Sequence, residues 1–255
     1  MTEGERRDGR HPGTPVFCLS EVELFQDLSG EETADIAARA PMRSIPAGTL
    51  VWSPQEQRRT LFIVKAGRVR IFRVSPDGRR LTLAVLGAGA LFGDMDLVGQ
   101  RMGDGFAEAV EPTVLCVMSE GDVRAMLLAD PRIAARIVEG LGRRLADVEQ
   151  RLADTVLKTA PQRVAAALFH LAESVPAQGG LLARRVEIRL THEQLADLVG
   201  TTRETTTKLL GELREAGVVS LRRGGIVVLD RSRLRAAADY GDDFAGVPRA
   251  EPRPL

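Results

Sequence analysis

The sequence predicts an α+β chain: an N-terminal β-roll of the jelly-roll type, a long dimerisation helix and a C-terminal winged helix-turn-helix. Three observations predict it. Short β-branched segments (TLVW, TLFIV, RVRIFRV, RLTLAVL and TVLCVMS) occupy residues 43–118, with turn signals every 8 to 12 residues. A helical pattern of about 25 residues follows, its apolar positions falling at steps of three and four. Beyond it, two short amphipathic helices meet at a glycine and lead into a Gly-Gly hairpin.

Composition bounds this reading. A chain of 255 residues can hold one large domain or two modest ones, each able to bury its own core without a metal or disulfide staple, and two is the better fit. Lys plus Arg and Asp plus Glu are both 35, so charge must be read segment by segment. The two cysteines, Cys18 and Cys116, are far apart and form no CxxC, which indicates neither a disulfide framework nor a thiolate metal site and fits a reducing cytoplasm. MTEGERRDGRHPGTP has no apolar leader core, and no run reaches the roughly 18 apolar residues of a membrane span. Residues 1–15 and 241–255 are expected to be disordered, which leaves the roll at 16–130, the dimerisation helix at 131–158 and the winged domain at 159–240.

Taken in order, CLSEVELFQDLSGEETADIAARA opens as a helix, with Ser29 before Glu31 and Glu32 as its start signal. Pro46-Ala-Gly, Ser53-Pro, Lys65-Ala-Gly, Ser75-Pro-Asp-Gly and Gly87-Ala-Gly then punctuate the strands. Residues 87–109, GAGALFGDMDLVGQRMGDGFAEA, carry glycines at 87, 89 and 93 with the look of a dinucleotide-binding turn. The segment before them argues otherwise. RVRIFRV-SPDG-RRLTLAVL reads as a hairpin, so the strand entering Gly87 is antiparallel to its neighbour, whereas a dinucleotide turn needs a parallel crossover. GDMDLVG is also too short for the crossover helix, and with no nucleophile-base pair or metal cluster the sequence predicts no enzyme.

In DPRIAARIVEGLGRRLADVEQRLADTVL the apolar positions are Val138, Leu141, Leu145, Val148 and Leu152. A heptad seam on a helix this long predicts pairing with a second copy, against the alternative of a helix lying on the roll. PQRVAAALFHLAES is a further helix and VEIRL a short strand. Residues 160–238 hold 12 Lys or Arg against 8 Asp or Glu, so the basic surplus of the chain is here.

Thr191 with Gln194 forms a capping box, Leu195, Ala196 and Leu198 give an apolar face, and Gly200 allows a sharp turn. Thr201 or Thr202 then caps a second helix that buries Leu209, Leu210 and Leu213. Arg203, Glu204, Thr207 and Lys208 share about 140 degrees of arc in its first half, the part that enters the major groove in this motif. Arg can donate twice to guanine, Glu can accept from cytosine N4 and Lys can donate to guanine or phosphate. Thr191, Thr202 and Thr205 suit phosphates, as do Arg222 and Arg223 at the hairpin tip. The partner predicted is double-stranded DNA; a plain Glu204–Lys208 surface pair is the alternative use of these charges.

With these residues in place, the chain resembles the cyclic-AMP receptor protein and fumarate-nitrate regulator (Crp/Fnr) superfamily of bacterial transcription regulators. The resemblance runs over 24–238, through LFQDLS, the roll segment LFIVKAGRVRIFRVSPDGRRLTLAVLGAGALFGDMDLV and the block LTHEQLADLVGTTRETTTKLLGELREAGVV. It implies a cyclic-nucleotide-binding-type roll and a homodimer on a two-fold-symmetric operator. It also implies base reading by Arg203, Glu204 and Lys208 and recruitment of RNA polymerase, for which 175–184 is the candidate loop.

Relatives that bind a cyclic nucleotide carry an FGE start followed by an Arg-Ser-Ala that grips the phosphate. Here Phe92-Gly93-Asp94 matches the start, but the later positions read Gly103, Asp104 and Gly105, and Arg101 is the only nearby cation. The adenine-contacting pair on the long helix aligns with Val148 and Glu149. An effector pocket would therefore draw on Gly93, Asp94, Arg101, Asp104, Val148 and Glu149, with carboxylates where the phosphate needs a cation. The expectation is a regulator that acts without a cofactor; the alternative is a switch by cyclic AMP or another small effector in the roll. Iron-sulfur and haem sensing lack their ligands, because Cys116 reads as core and His11, His170 and His192 are scattered.

Overall fold

The computed structural model describes Glu31 and residues 40–55, 59–174 and 186–240. The expected helix start at Ser29 and Glu32, both terminal segments, Cys18, His11 and the loop 175–184 lie outside the described residues.

Eight strands build the roll: β1 (Met42–Ile45), β2 (Leu50–Trp52), β3 (Thr60–Ala66), β4 (Val69–Val74), β5 (Arg80–Leu86), β6 (Leu91–Asp94), β7 (Phe106–Ala109) and β8 (Thr113–Ser119). They form two antiparallel four-stranded sheets, ordered β1-β8-β3-β6 and β2-β7-β4-β5. Sequence reading had no signal for β1, β6 or β7, which at four residues each are too short to show a period.

Strand alternation explains the packing. Phe62 and Val64 of β3 turn inward to meet Trp52, Val69, Ile71, Phe92 and Leu115 between the sheets. Leu61 and Ile63 turn outward and are covered by α1 (Glu120–Ala129) and the start of α2 (Pro131–Leu157) through Val123, Met126, Ile133 and Ile137. Cys116 is fully buried in that outer layer.

The turn residues behave as their chemistry requires. Gly78 closes the SPDG turn at φ +83°, with its N–H donating to the Ser75 carbonyl. Gly93 belongs to the pairing of β6 with β3: at φ +129°, a Cβ there would lie 2.2 Å from the Thr60 carbonyl oxygen. That glycine is required by the sheet.

Asp130 caps α2 through the Arg132 N–H, and Pro131 occupies the first turn. The helix is 27 residues long, about 40 Å. It ends at Lys158, whose extended backbone (φ −107°, ψ 146°) separates it from α3 (Ala160–Glu173). The winged domain follows as β9 (Val186–Ile188), α4 (His192–Val199), α5 (Arg203–Glu215), β10 (Val219–Arg222), β11 (Gly225–Val228) and α6 (Arg231–Tyr240). Its three strands run in the order β10-β11-β9. Leu168, Leu195, Leu210, Leu213, Ile226 and Leu234 form its core. Val85 and Val110 of the roll pack against that core, so the two domains touch.

Candidate nucleic-acid interface and effector cavity

The Thr191 hydroxyl accepts from the Gln194 N–H while Gln194 accepts from the Thr191 N–H, which fixes the start of α4. Gly200 ends it in the left-handed conformation at φ +69°. Thr202 then caps α5 by accepting from the Thr205 N–H at 3.1 Å. Leu209, Leu210 and Leu213 are buried, which rolls the opposite side of α5 outward. Arg203, Glu204, Thr207 and Lys208 are all exposed on it.

On this face the local electrostatics act on Glu204. Hydrogen bonds from its own backbone N–H and the Thr202 hydroxyl, with Arg203 nearby, hold the Glu204 carboxyl below its ordinary range. It is an ionised acceptor, as reading a cytosine amine requires. Lys208 Nζ lies 3.8 Å from Glu212, one turn along, on the exposed surface. Such an exposed pair is worth a few tenths of a kcal/mol and yields readily to a base or phosphate. Arg222 and Arg223 are exposed at the tip of the β10-β11 hairpin, beside Gly224 at φ +75°.

The sequence did not single out His192 for this face. Its Nδ1 lies 2.9 Å from the Thr207 hydroxyl, joining the two helices of the motif. Burial and the neighbouring Arg203 push the imidazole pKa down, so it is neutral at pH 7. No local pattern announces the pair, because its members are 15 residues apart on different helices.

Along α2, Val138, Leu145, Val148 and Leu152 are 68, 59, 45 and 66% exposed, an unpartnered apolar row on one helix. Leu141 departs from the expected seam: it is partly buried and packs with the roll's outer layer. It lies one turn beyond Ile137, which that layer buries, and the helix therefore turns this edge toward the roll.

The six residues expected to form one effector pocket are not brought together. Asp94, Arg101 and Gly103 line a small cleft with Arg59 and Asp96. Arg101 Nη2 lies 3.0 Å from Asp96 Oδ1 and Arg59 Nη1 3.2 Å from Glu120 Oε2, so each cation of the cleft stands in an exposed pair with a carboxylate, and Arg59 is a cation the sequence did not single out. Val148 lines a different cavity, and neither Glu149 nor Asp104 borders either space. The reason is that the cassette turn sits at the end of β6, whereas the long helix carries Val148 and Glu149 past the β5-β6 turn toward the winged domain.

That second cavity, of about 800 Å³, lies between the β5-β6 turn, α2 and the winged domain. Arg136, Arg143, Arg144, Arg151 and Arg163 line it against Asp147, Asp154 and Glu173, so its wall carries a modest surplus of positive charge. Arg144 donates to the Leu91 carbonyl at 3.3 Å and to Gln100 Oε1 at 3.2 Å, Arg151 donates to the Leu83 carbonyl and Arg163 to the Val199 carbonyl at 2.9 Å. Burial lowers the pKa of Arg144 and of Arg151, with Asp147 opposing the shift in Arg151. Among the described residues no group of three or more His, Cys, Asp or Glu is placed to hold a metal, and no helix is long and apolar enough to cross a membrane.

A cyclic nucleotide-binding domain model matches residues 42–130, and a Crp-like helix-turn-helix domain model matches residues 162–237. The cyclic AMP receptor protein of Thermus thermophilus is 34% identical over 215 residues, covering 84% of this chain and 96% of the relative. A CRP-like cAMP-activated global transcriptional regulator of Mycobacterium tuberculosis is 29% identical over 221 residues, 86% of this chain and 98% of the relative. Among solved structures, a CRP/FNR-family transcriptional regulator from Thermus thermophilus aligns at a TM-score of 0.61 with 28% identity, covering 78% of this chain and 98% of its own.

Proposed function

Because the chain belongs to the Crp/Fnr superfamily of transcription regulators, DNA-binding proteins and not enzymes, we propose that it acts in the cytoplasm as a homodimer on a two-fold-symmetric operator. The observation that carries the dimer is the exposed row Val138, Leu145, Val148 and Leu152 on a 27-residue helix. Covering the half to two-thirds of such a side chain that is exposed is worth about 1–2 kcal/mol, and a second copy of α2 offers the matching knobs and holes. Each protomer then presents one α5, with Arg203, Glu204 and Lys208 to bases and Thr191, Thr202, Thr205, Arg222 and Arg223 to phosphates.

The regulator activates transcription by recruiting RNA polymerase and needs no cyclic nucleotide. Gly103, Asp104 and Gly105 at the positions of the phosphate-gripping Arg-Ser-Ala support effector independence, as does the pairing of the cleft's cations, Arg101 with Asp96 and Arg59 with Glu120. Selection of bound DNA from a random pool, with and without cyclic AMP, tests the reading, together with calorimetric titration by cyclic AMP and cyclic GMP. The expected result is a two-fold-symmetric site selected equally in both pools and no heat of nucleotide binding. Micromolar binding that tightens DNA affinity would overturn effector independence.

A second reading has one observation in its favour. The cavity beside Arg144, Arg151 and Arg163 has the volume and the positive wall for a small anionic effector, cyclic AMP included. In that case the same titration gives saturable heat, lost in Arg144→Met and retained in Arg101→Met.

A further inference from the structure

The outer face of β4 carries a cation that the roll alone does not need. Arg70 is 1% exposed, and its guanidinium stacks 4.5 Å from the centroid of the Phe72 ring. Nη2 donates to Glu108 Oε2 at 2.8 Å, directly across the β4-β7 pairing. Nη1 donates to Asp197 Oδ2 at 3.0 Å. Asp197 lies on α4, 127 residues away in the chain and inside the helix-turn-helix. One buried guanidinium therefore joins the roll to the first helix of the DNA-reading motif.

We propose that Arg70, clamped between Glu108 and Asp197, is a positioning residue that fixes the winged domain in its DNA-competent placement. The proposal rests on the DNA-binding reading above.

Around this ion pair α4 also lies along β5, yet no other described salt bridge reaches α4 from the roll. Val85 and Val110 touch the winged domain's core, and Arg189 Nε lies 3.7 Å from Glu111 Oε2. Beside them the domains are held apart by the cavity, which Val85, Leu198 and Val199 line. The covalent link is the extended residue Lys158 between two helices, a natural pivot. Rotation there would swing α5 while leaving its own fold intact.

The energetics fit a device for geometry. Burial raises the Asp197 pKa against the opposing charge and hydrogen bond of Arg70. A buried ion pair of this kind contributes direction more than stability. Direction is what a two-fold operator demands, since both recognition helices must enter major grooves about one helical turn apart. The docked arrangement leaves Arg203, Glu204 and Lys208 exposed, so the clamp holds the reading face open.

The test uses the full-length protein and the operator that the wild type selects, as a complete duplex and as one carrying a single half-site. Asp197→Asn and Arg70→Met are each expected to weaken binding to the complete site about tenfold and to the half-site less than about twofold. The double variant should be no weaker than either single one, and Asp197→Glu, which keeps the carboxylate, should recover most of the loss. Thermal melting accompanies each variant, and the conservative Asp197→Glu keeps the question open to refutation if Arg70→Met does not fold. Wild-type affinity in the Asp197→Asn variant, tighter binding, or equal loss on both duplexes would overturn the clamp. A wild type that selects no sequence would overturn the DNA-binding reading and the clamp with it.

Discussion

Arg203 stands in the first turn of α5 with its side chain in solvent, beside an ionised Glu204. If it donates to guanine, Arg203→Ala should cost about 1–3 kcal/mol at a cognate site and relax the preference at one base pair. Equal losses on cognate and random DNA would instead make it a phosphate contact. His192 gives a second prediction at this scale. Its folded pKa lies below the ordinary 6.5, so between the two values the unfolded chain binds the proton more readily. Stability must therefore fall as pH drops below about 6.5, and His192→Gln should flatten that dependence in thermal melts at pH 5.5 and 7.5. The exposed face of α5 that carries Arg203, Glu204 and Lys208 was legible in the sequence because caps, turn and apolar face fix the phase of one short helix. His192 with Thr207, and Arg70 with Asp197, were not: each pair depends on elements that local periodicity does not connect. Arg70 alternates with Val69 and Ile71 on its strand, and such a position usually faces water.

Among the elements, α2 carries the clearest consequence. Leu145 is 59% exposed in the protomer, so Leu145→Glu should leave the fold's melting temperature nearly unchanged at low concentration. The same change places two like charges in the dimer seam and should shift sedimentation from dimer to monomer. Leu141→Glu should instead destabilise the protomer, because that side chain packs on the roll. The heptad pattern was legible because a 3–4 spacing survives without any tertiary information. Which edge of the seam the roll would take was not, since it depends on where Ile133 and Ile137 dock. The cassette teaches the reverse lesson. The glycines at 87, 89 and 93 have dinucleotide-like spacing, yet Gly93 is held by its pairing with β3 and Gly89 by a turn at φ +85°.

For the whole molecule, the predicted behaviour is that of a dimer gripping a polyanion with two wings. Arg222→Ala should weaken binding on all sequences alike and lower the slope of log affinity against log salt by about one per neutralised phosphate contact. A loss confined to one operator sequence would place Arg222 on a base. By itself the sequence determined the order of the parts: a roll, a long helix and a winged helix-turn-helix. It also determined which face of α5 is polar, because turn chemistry and helical period are local properties of the chain. Only the tertiary structure decided how those parts meet. Of the expected effector residues, Asp94 and Arg101 border one space and Val148 another, Arg101 pairs with Asp96, and an arginine-lined cavity opens between the domains. Arg70 finds Asp197 across 127 residues for the same reason: long-range contacts follow from the docking of finished domains, which leaves no periodic trace in either segment.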